Sequence, residues 1–194
     1  MNLSESGYSI VRHNYSFEAG RNQYEHVLDS FGSQARSRYI PSSYYGTCNV
    51  CGAKTYFKTF GADNLRESLL CDVCGSSCRN RSLAWGLLRL VGKGQVQNIA
   101  ELASLNSGPQ ILDTDCFSPM FKFLKKAGFY TSSMYAPERP LGEPIKPKIL
   151  NVDLQAMTFP DHSYDVILTS DVMEHVRRDR AAHSEIYRCL KPGG

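Results

Sequence analysis

One pentapeptide occurs twice in this chain. Cys48-Asn49-Val50-Cys51-Gly52 returns as Cys71-Asp72-Val73-Cys74-Gly75, and the pairing restricts how everything between the copies can fold. Two thiolates three residues apart on a tight turn can reach one tetrahedral ion, with Zn–S bonds of about 2.3 Å. Two such turns complete its coordination. Gly52 and Gly75 follow the pairs because each knuckle turns back sharply and aims backbone N–H groups at the sulfurs. Cys48, Cys51, Cys71 and Cys74 are therefore the candidate ligands of a zinc ion. Four thiolates leave no open coordination position, so that ion is expected to be structural. Two disulfides or four buried thiols are the alternatives. A total of seven cysteines is odd, and a reducing setting disfavours disulfides further. Cys78 reads as a spare thiol, and Cys116 and Cys189 as isolated core or surface thiols.

The reducing setting is itself an expectation. The first ten residues, MNLSESGYSI, have neither a basic stretch nor an apolar one, unlike a secretory signal. No run of about 18 apolar residues predicts a membrane helix. A cytoplasmic protein is expected. With 42% hydrophobic and 21% charged residues, the chain is too apolar to be disordered. Residues 1–110 hold 11 Lys/Arg against 8 Asp/Glu, and residues 111–194 hold 11 against 11. A four-thiolate zinc site adds about −2 to the first part, so charge does not indicate a nucleic-acid partner.

Three segments are expected: a polar, Tyr-rich stretch over 1–47, a zinc ribbon with its following helix over 48–94, and an α/β domain over 95–194. A helix is predicted over 20–31 and a strand over 54–60. Leu83, Leu87, Leu88 and Val91 recur at helical spacing, with Ala84 and Trp85 filling the buried face and Gly92 and Gly94 ending the helix. Arg79 and Arg81 fall just ahead of it. Cations there oppose the macrodipole, so they either meet an anion or are solvated, and solvation is favoured. Beyond Gln110 the pattern alternates: strands at 111–113, 129–135, 149–152 and 165–170, with helices at 120–127 and 181–190. Such alternation implies a Rossmann-like parallel sheet with right-handed crossovers.

The densest motif runs from Asn151-Val152-Asp153-Leu154 through Phe159-Pro160-Asp161 and Tyr164-Asp165 to Glu174-His175-Val176, then Leu190-Lys191-Pro192-Gly193-Gly194. It resembles the class I S-adenosylmethionine-dependent methyltransferases of the type 11 kind, with an N-terminal zinc ribbon and a domain covering only its N-terminal half. The resemblance implies S-adenosylmethionine as cofactor beside the zinc. It also implies cofactor contacts from Asp113, Asp115, Met134, Asp153, Leu154 and Thr169. Asp153 would accept the adenine amino group, the Leu154 N–H would meet the ring, and the 169–171 turn would border methionine and acceptor. His175 or Asp171 would be candidate bases, His175 more as a turn-fixing residue.

Two departures stand out. Where that family has a glycine-rich loop, this chain reads Asp113-Thr114-Asp115-Cys116-Phe117-Ser118-Pro119. Met134 takes the place of the acidic residue that holds the ribose, leaving Glu138 the nearest carboxylate. The expected function is methyl transfer to an unidentified small-molecule or glycan acceptor. The alternative is a degenerate methyltransferase fold that docks a protein, a glycan intermediate or nucleic acid. With the strands after 165–170 missing, that strand is expected at an open sheet edge, exposing Val166, Ile167 and Leu168.

Overall fold

The computed structural model describes residues 43–59, 66–92 and 94–194; the helix expected over 20–31 lies outside them. Strand β1 (Ser43–Thr47) pairs antiparallel with β2 (Lys54–Lys58), which pairs antiparallel with the two-residue β3 (Leu70–Cys71). The two knuckles flank this small sheet and are built alike. The N–H of Gly52 donates to the Cys48 carbonyl, and that of Gly75 to the Cys71 carbonyl, each at 2.8 Å. Both glycines have positive φ, 79° and 76°, where a side chain would be strained.

Helix α1 (Cys78–Val91) starts earlier than its leucine spacing predicts. Ser77 caps it: the Ser77 hydroxyl accepts from the Asn80 N–H, and the Asn80 side chain accepts from the Ser77 N–H. Reciprocal caps of this kind define a helix start, so Arg79 and Arg81 stand inside the first turn. The buried side is Asn80, Ala84, Leu87 and Leu88. Trp85, expected on that side, is exposed and stacks beneath the Arg89 guanidinium. A short α2 (Ile99–Ala103) follows, capped by Asn98 and Glu101.

The second sheet has the order β6-β7-β5-β4-β8. Strands β4 (Ile111–Asp113), β5 (Tyr130–Met134), β7 (Ile149–Asn151) and β8 (Val166–Leu168) run parallel, and β6 (Pro144–Lys146) is antiparallel at one edge. The strand after β4 lies on one side of it and β8 on the other, so the chain reverses direction at β4, the switch point where such sheets bind ligands. β8 forms the opposite edge; there Val166 and Ile167 are half-buried and Leu168 is buried. The helix expected over 120–127 is only α3 (Phe121–Leu124), continued by turns, and α4 (Asp179–Cys189) closes the chain's alternation.

Each face of the sheet has its own core. Leu112, Val152, Leu154, Met157, Tyr164, Ala182 and Cys189 pack together on the α4 side. The other core joins sheet residues Ile111, Tyr130 and Leu168 to Leu87, Ile99 and Leu102, and on to Val50, Phe57 and the cysteines. The ribbon thus occupies the position of a covering layer. Main-chain bonds fasten it there, from the N–H groups of Ile99 and Ala100 to the carbonyls of Asn49 and Val50, both at 3.0 Å. A Cβ on Gly52 would come within 2.9 Å of Asn98 Nδ2, so that glycine serves the approach of α2 as well as its own turn. Among the described residues no helix is long and apolar enough to cross a membrane.

Candidate functional site

The four sulfurs of Cys48, Cys51, Cys71 and Cys74 all lie within 4.8 Å of one another. Cys48 and Cys74 Sγ are 3.8 Å apart, as are Cys51 and Cys71 Sγ. Tetrahedral Zn–S bonds of about 2.3 Å imply sulfur–sulfur edges of about 3.8 Å, so the cluster is compatible with zinc. Cys78 is outside the cluster. The donors around Cys48 favour charge on its sulfur. The Cys74 thiol, then Ser76 Oγ and the Val50 N–H, hold Cys48 well below the usual thiol range. The same Cys48 contact, with burial, pushes Cys74 up. A dication removes that conflict by letting both ionise.

A cavity of about 490 Å³ opens beyond the C-terminal ends of the parallel strands. Its walls come from each of them: Thr114 after β4, Met134 and Tyr135 at the end of β5, Asp153 and Leu154 after β7, and Val172, His175, Val176 and Arg177 after β8. Asp153 Oδ1 accepts from the N–H of Gln155 at 2.8 Å and from its side-chain amide at 3.1 Å. It therefore caps its own turn, and Oδ2 has no partner among the described residues. Of the expected contacts, Met134, Asp153 and Leu154 come together here with His175. Thr169 is exposed and lines no wall of the cavity, and neither does the exposed Glu138. Tyr135, Gln155 and Arg177 were not legible as lining residues, because their positions depend on where strands end rather than on a motif.

Asp113 is fully buried. Its Oδ2 accepts from the Tyr130 hydroxyl at 2.9 Å and its Oδ1 from the Asp115 N–H at 3.0 Å. Burial, only partly offset by those two donors, pushes its carboxyl up to about 7. Asp115 Oδ1 in turn accepts from the Phe117 N–H at 2.9 Å. Successive aspartates thus take two amide donors of the loop after β4, those of Asp115 and Phe117. No residue of 114–119 has positive φ, so the loop turns through side-chain caps where glycines would turn through backbone freedom. Phe117 is 80% exposed and does not fill the first cavity.

A second cavity of about 390 Å³ adjoins the first, sharing Thr114 and Val172 with it. Asp115, Phe117 and Ser118 form one wall, Ser170 and Asp171 another, and Arg79 and Asn80 of α1 the third. Asp171, in the left-handed region at φ 49°, is held by two arginines: Arg66 Nη2 at 2.5 Å and Arg79 Nη1 at 2.6 Å. Arg79 also donates to Ser170 Oγ at 2.8 Å and pairs with Glu67 at 2.8 Å. The arginines of the first turn of α1 are thus not solvated: Arg79 meets two carboxylates, while Arg81 bonds the Ser76 carbonyl and lies over the Phe57 ring.

Residues 90–194, more than half of the chain, match the family described as the methyltransferase domain. The chain belongs to that family. It is 26% identical to phosphoethanolamine N-methyltransferase 1 of Zea mays over 119 residues, 56% of this chain and 24% of that protein. It is 28% identical to a sterol 24-C-methyltransferase of Gibberella zeae over 108 residues, 50% of this chain and 28% of that protein. The chain spans about a quarter of the length of these curated relatives. The strand-end cavity, Asp153 and His175 all lie within the matched residues, whereas the four cysteines precede them.

Proposed function

We propose that this methyltransferase domain acts with S-adenosylmethionine on an acceptor molecule, in a cytoplasmic protein whose four-cysteine cluster carries a structural zinc ion. The observation that carries the reading is the cavity at the strand ends, where Asp153 keeps one carboxylate oxygen free. Its volume falls in the range of small-molecule sites, about 300–1,000 Å³. When bound, S-adenosylmethionine supplies a methyl group on a positively charged sulfur, so alignment of the partners accounts for much of the rate. Asp153 Oδ2 accepts an amino hydrogen of the adenine, and the Leu154 main chain meets the ring edge. Met134 and Tyr135 give the apolar wall expected for a nucleoside. Arg177 is the cation of that cavity and the natural partner of a carboxylate there. His175 is exposed at the same wall, and its main-chain N–H donates to the Val172 carbonyl at 3.0 Å, closing the turn after β8.

Titration of the protein with S-adenosylhomocysteine by calorimetry tests the reading. Saturable binding at about one per chain, weakened by Asp153→Ala, supports it; absence of binding removes it. The self-capped loop after β4 favours a second reading in that event. With the Asp115 and Phe117 amides already taken by side chains of the loop, the fold would serve as a docking module for a protein, a glycan intermediate or nucleic acid.

A further inference from the structure

Asp153 is the only carboxylate among the described residues that line the first cavity. The loop between β5 and β6 carries two more, Glu138 and Glu143, but both are exposed and line no part of it. Asn151, the last residue of β7 and fully buried, fixes that loop in place. Its Oδ1 accepts from the Ala136 N–H at 2.8 Å, and its Nδ2 lies 2.9, 2.7 and 3.1 Å from the carbonyls of Ala136, Arg139 and Pro140. Its main chain accepts from the Gly142 N–H and donates to the Glu143 carbonyl. Glu138 lies inside the span so pinned, and its backbone cannot swing toward the cavity without breaking these bonds. The wall at the end of β5 is therefore Met134 and Tyr135, without charge. Farther along the lining, Gln155 Oε1 already accepts from the Arg178 N–H at 3.1 Å.

We propose that the first cavity reads the base of its nucleoside and leaves the sugar hydroxyls unread, so that a 2′-deoxy ligand binds as well as the ribose form. The inference rests on the S-adenosylmethionine reading above, which puts the base at Asp153. The strand order then locates the sugar. β5 lies between β7 and β4, so a group attached to a base at the end of β7 and directed toward the switch point crosses the end of β5. A ribose there offers hydroxyl donors, which an acidic side chain accepts in dinucleotide sites built on such sheets. Met134 offers only a thioether sulfur, a weak acceptor. A site built to bond a hydroxyl rejects the ligand that lacks it, because its own polar group is left unpaired. A methionine wall has no such group to strand, and Met134 is thus the residue that sets the tolerance.

S-adenosylhomocysteine and its 2′-deoxy analogue, each titrated into the full chain by calorimetry, test this. Their affinities are expected to agree within about threefold, whereas a charged acceptor for the hydroxyl would separate them by about tenfold or more. Glu138→Gln should leave both affinities as they are. Met134→Glu puts a carboxylate of similar length at the end of β5 and should create a preference for the ribose ligand of about tenfold. A preference beyond threefold in the parent protein overturns the proposal. So does a ribose affinity that falls in Glu138→Gln while the deoxy affinity holds, because Glu138 would then read the sugar. A Met134→Glu protein that binds S-adenosylhomocysteine without gaining the preference also overturns it, since the sugar would then lie elsewhere. Failure of both ligands to bind the parent protein sinks the S-adenosylmethionine reading itself, so the two failures are distinct.

Discussion

Asp113 is a carboxyl group that the fold holds at a cost, and replacing it with asparagine should make that cost measurable. Its side chain is fully buried, and burial raises its pKa from 3.8 to about 7. Between those values the folded state binds more protons than the unfolded one, so stability falls as pH rises through the window. Each pH unit inside it is worth about 1.4 kcal/mol, and the loss accumulated between about pH 4 and pH 8 is about 3–4 kcal/mol. Asparagine keeps an acceptor for the Asp115 N–H, presents its amide NH2 to the Tyr130 hydroxyl, which can turn to accept from it, and carries no charge. Asp113→Asn should therefore match the parent protein near pH 4.5 and exceed its stability by about 3 kcal/mol near pH 8. Urea unfolding of both proteins, followed by circular dichroism with zinc supplied, gives that difference at each pH. Comparison of the two curves cancels the opposite trend of carboxylates such as Asp165, which Lys191 holds below the usual range. Curves that stay parallel from pH 4.5 to 8 would refute the reasoning, because they would mean that the Asp113 charge is fully solvated in the folded protein.

Metal analysis of the purified protein should find about one zinc per chain, and Cys71→Ser should lose it along with the order of α1, whose buried side shares the ribbon core; a metal-free protein with full helical signal would contradict this. Asp153→Ala should weaken S-adenosylhomocysteine by about 10- to 150-fold in calorimetry, as expected for a lost charged hydrogen bond of about 1.5–3 kcal/mol. Asp153→Asn, which retains an acceptor for the Gln155 N–H, should fold as the parent does and bind nearly as weakly as the alanine variant.

The features legible in the sequence were those whose cause is local. The repeated Cys-x-x-Cys-Gly specifies its own turns, and the short runs at 111–113 and 149–151 occupy interior strands of a mostly parallel sheet, while the run at 166–168 forms its edge. The start of α1 was missed because its signal was a cap, Ser77 with Asn80, rather than the leucine spacing. The same lesson applies to α2, where Asn98 and Glu101 mark a helix start that a search for loop residues passes over. Asp113 and Asp115 could not be placed from sequence for a different reason. Whether an aspartate after a strand faces a ligand or caps its own loop depends on which N–H groups reach it, and here Tyr130, seventeen residues away, decides the matter. Trp85 was misplaced because one residue of helix, about 100° of arc, separates it from the buried Ala84.

Asp171 carries the contact between the ribbon's arginines and the end of β8, and its backbone is strained as well. A non-glycine residue in the left-handed region costs about 1 kcal/mol, somewhat less for aspartate than for alanine. The side chain is 41% exposed, so each ion pair with Arg66 or Arg79 is worth at most about 1 kcal/mol after solvent screening. The two terms are of similar size and opposite sign, and a pair of variants separates them. Asp171→Ala removes the ion pairs and keeps the strain, so it should destabilise by about 1–2 kcal/mol. Asp171→Gly removes the pairs and relieves the strain, and should stand about 1 kcal/mol above the alanine variant. Equal stability of the two would mean that position 171 is not strained when its arginines are gone. If S-adenosylhomocysteine affinity drops equally in both variants while their stabilities differ, the ion pairs act by holding Val172 at the wall shared by the two cavities. An affinity that follows stability instead would reduce the pairs to fasteners between the ribbon layer and the sheet.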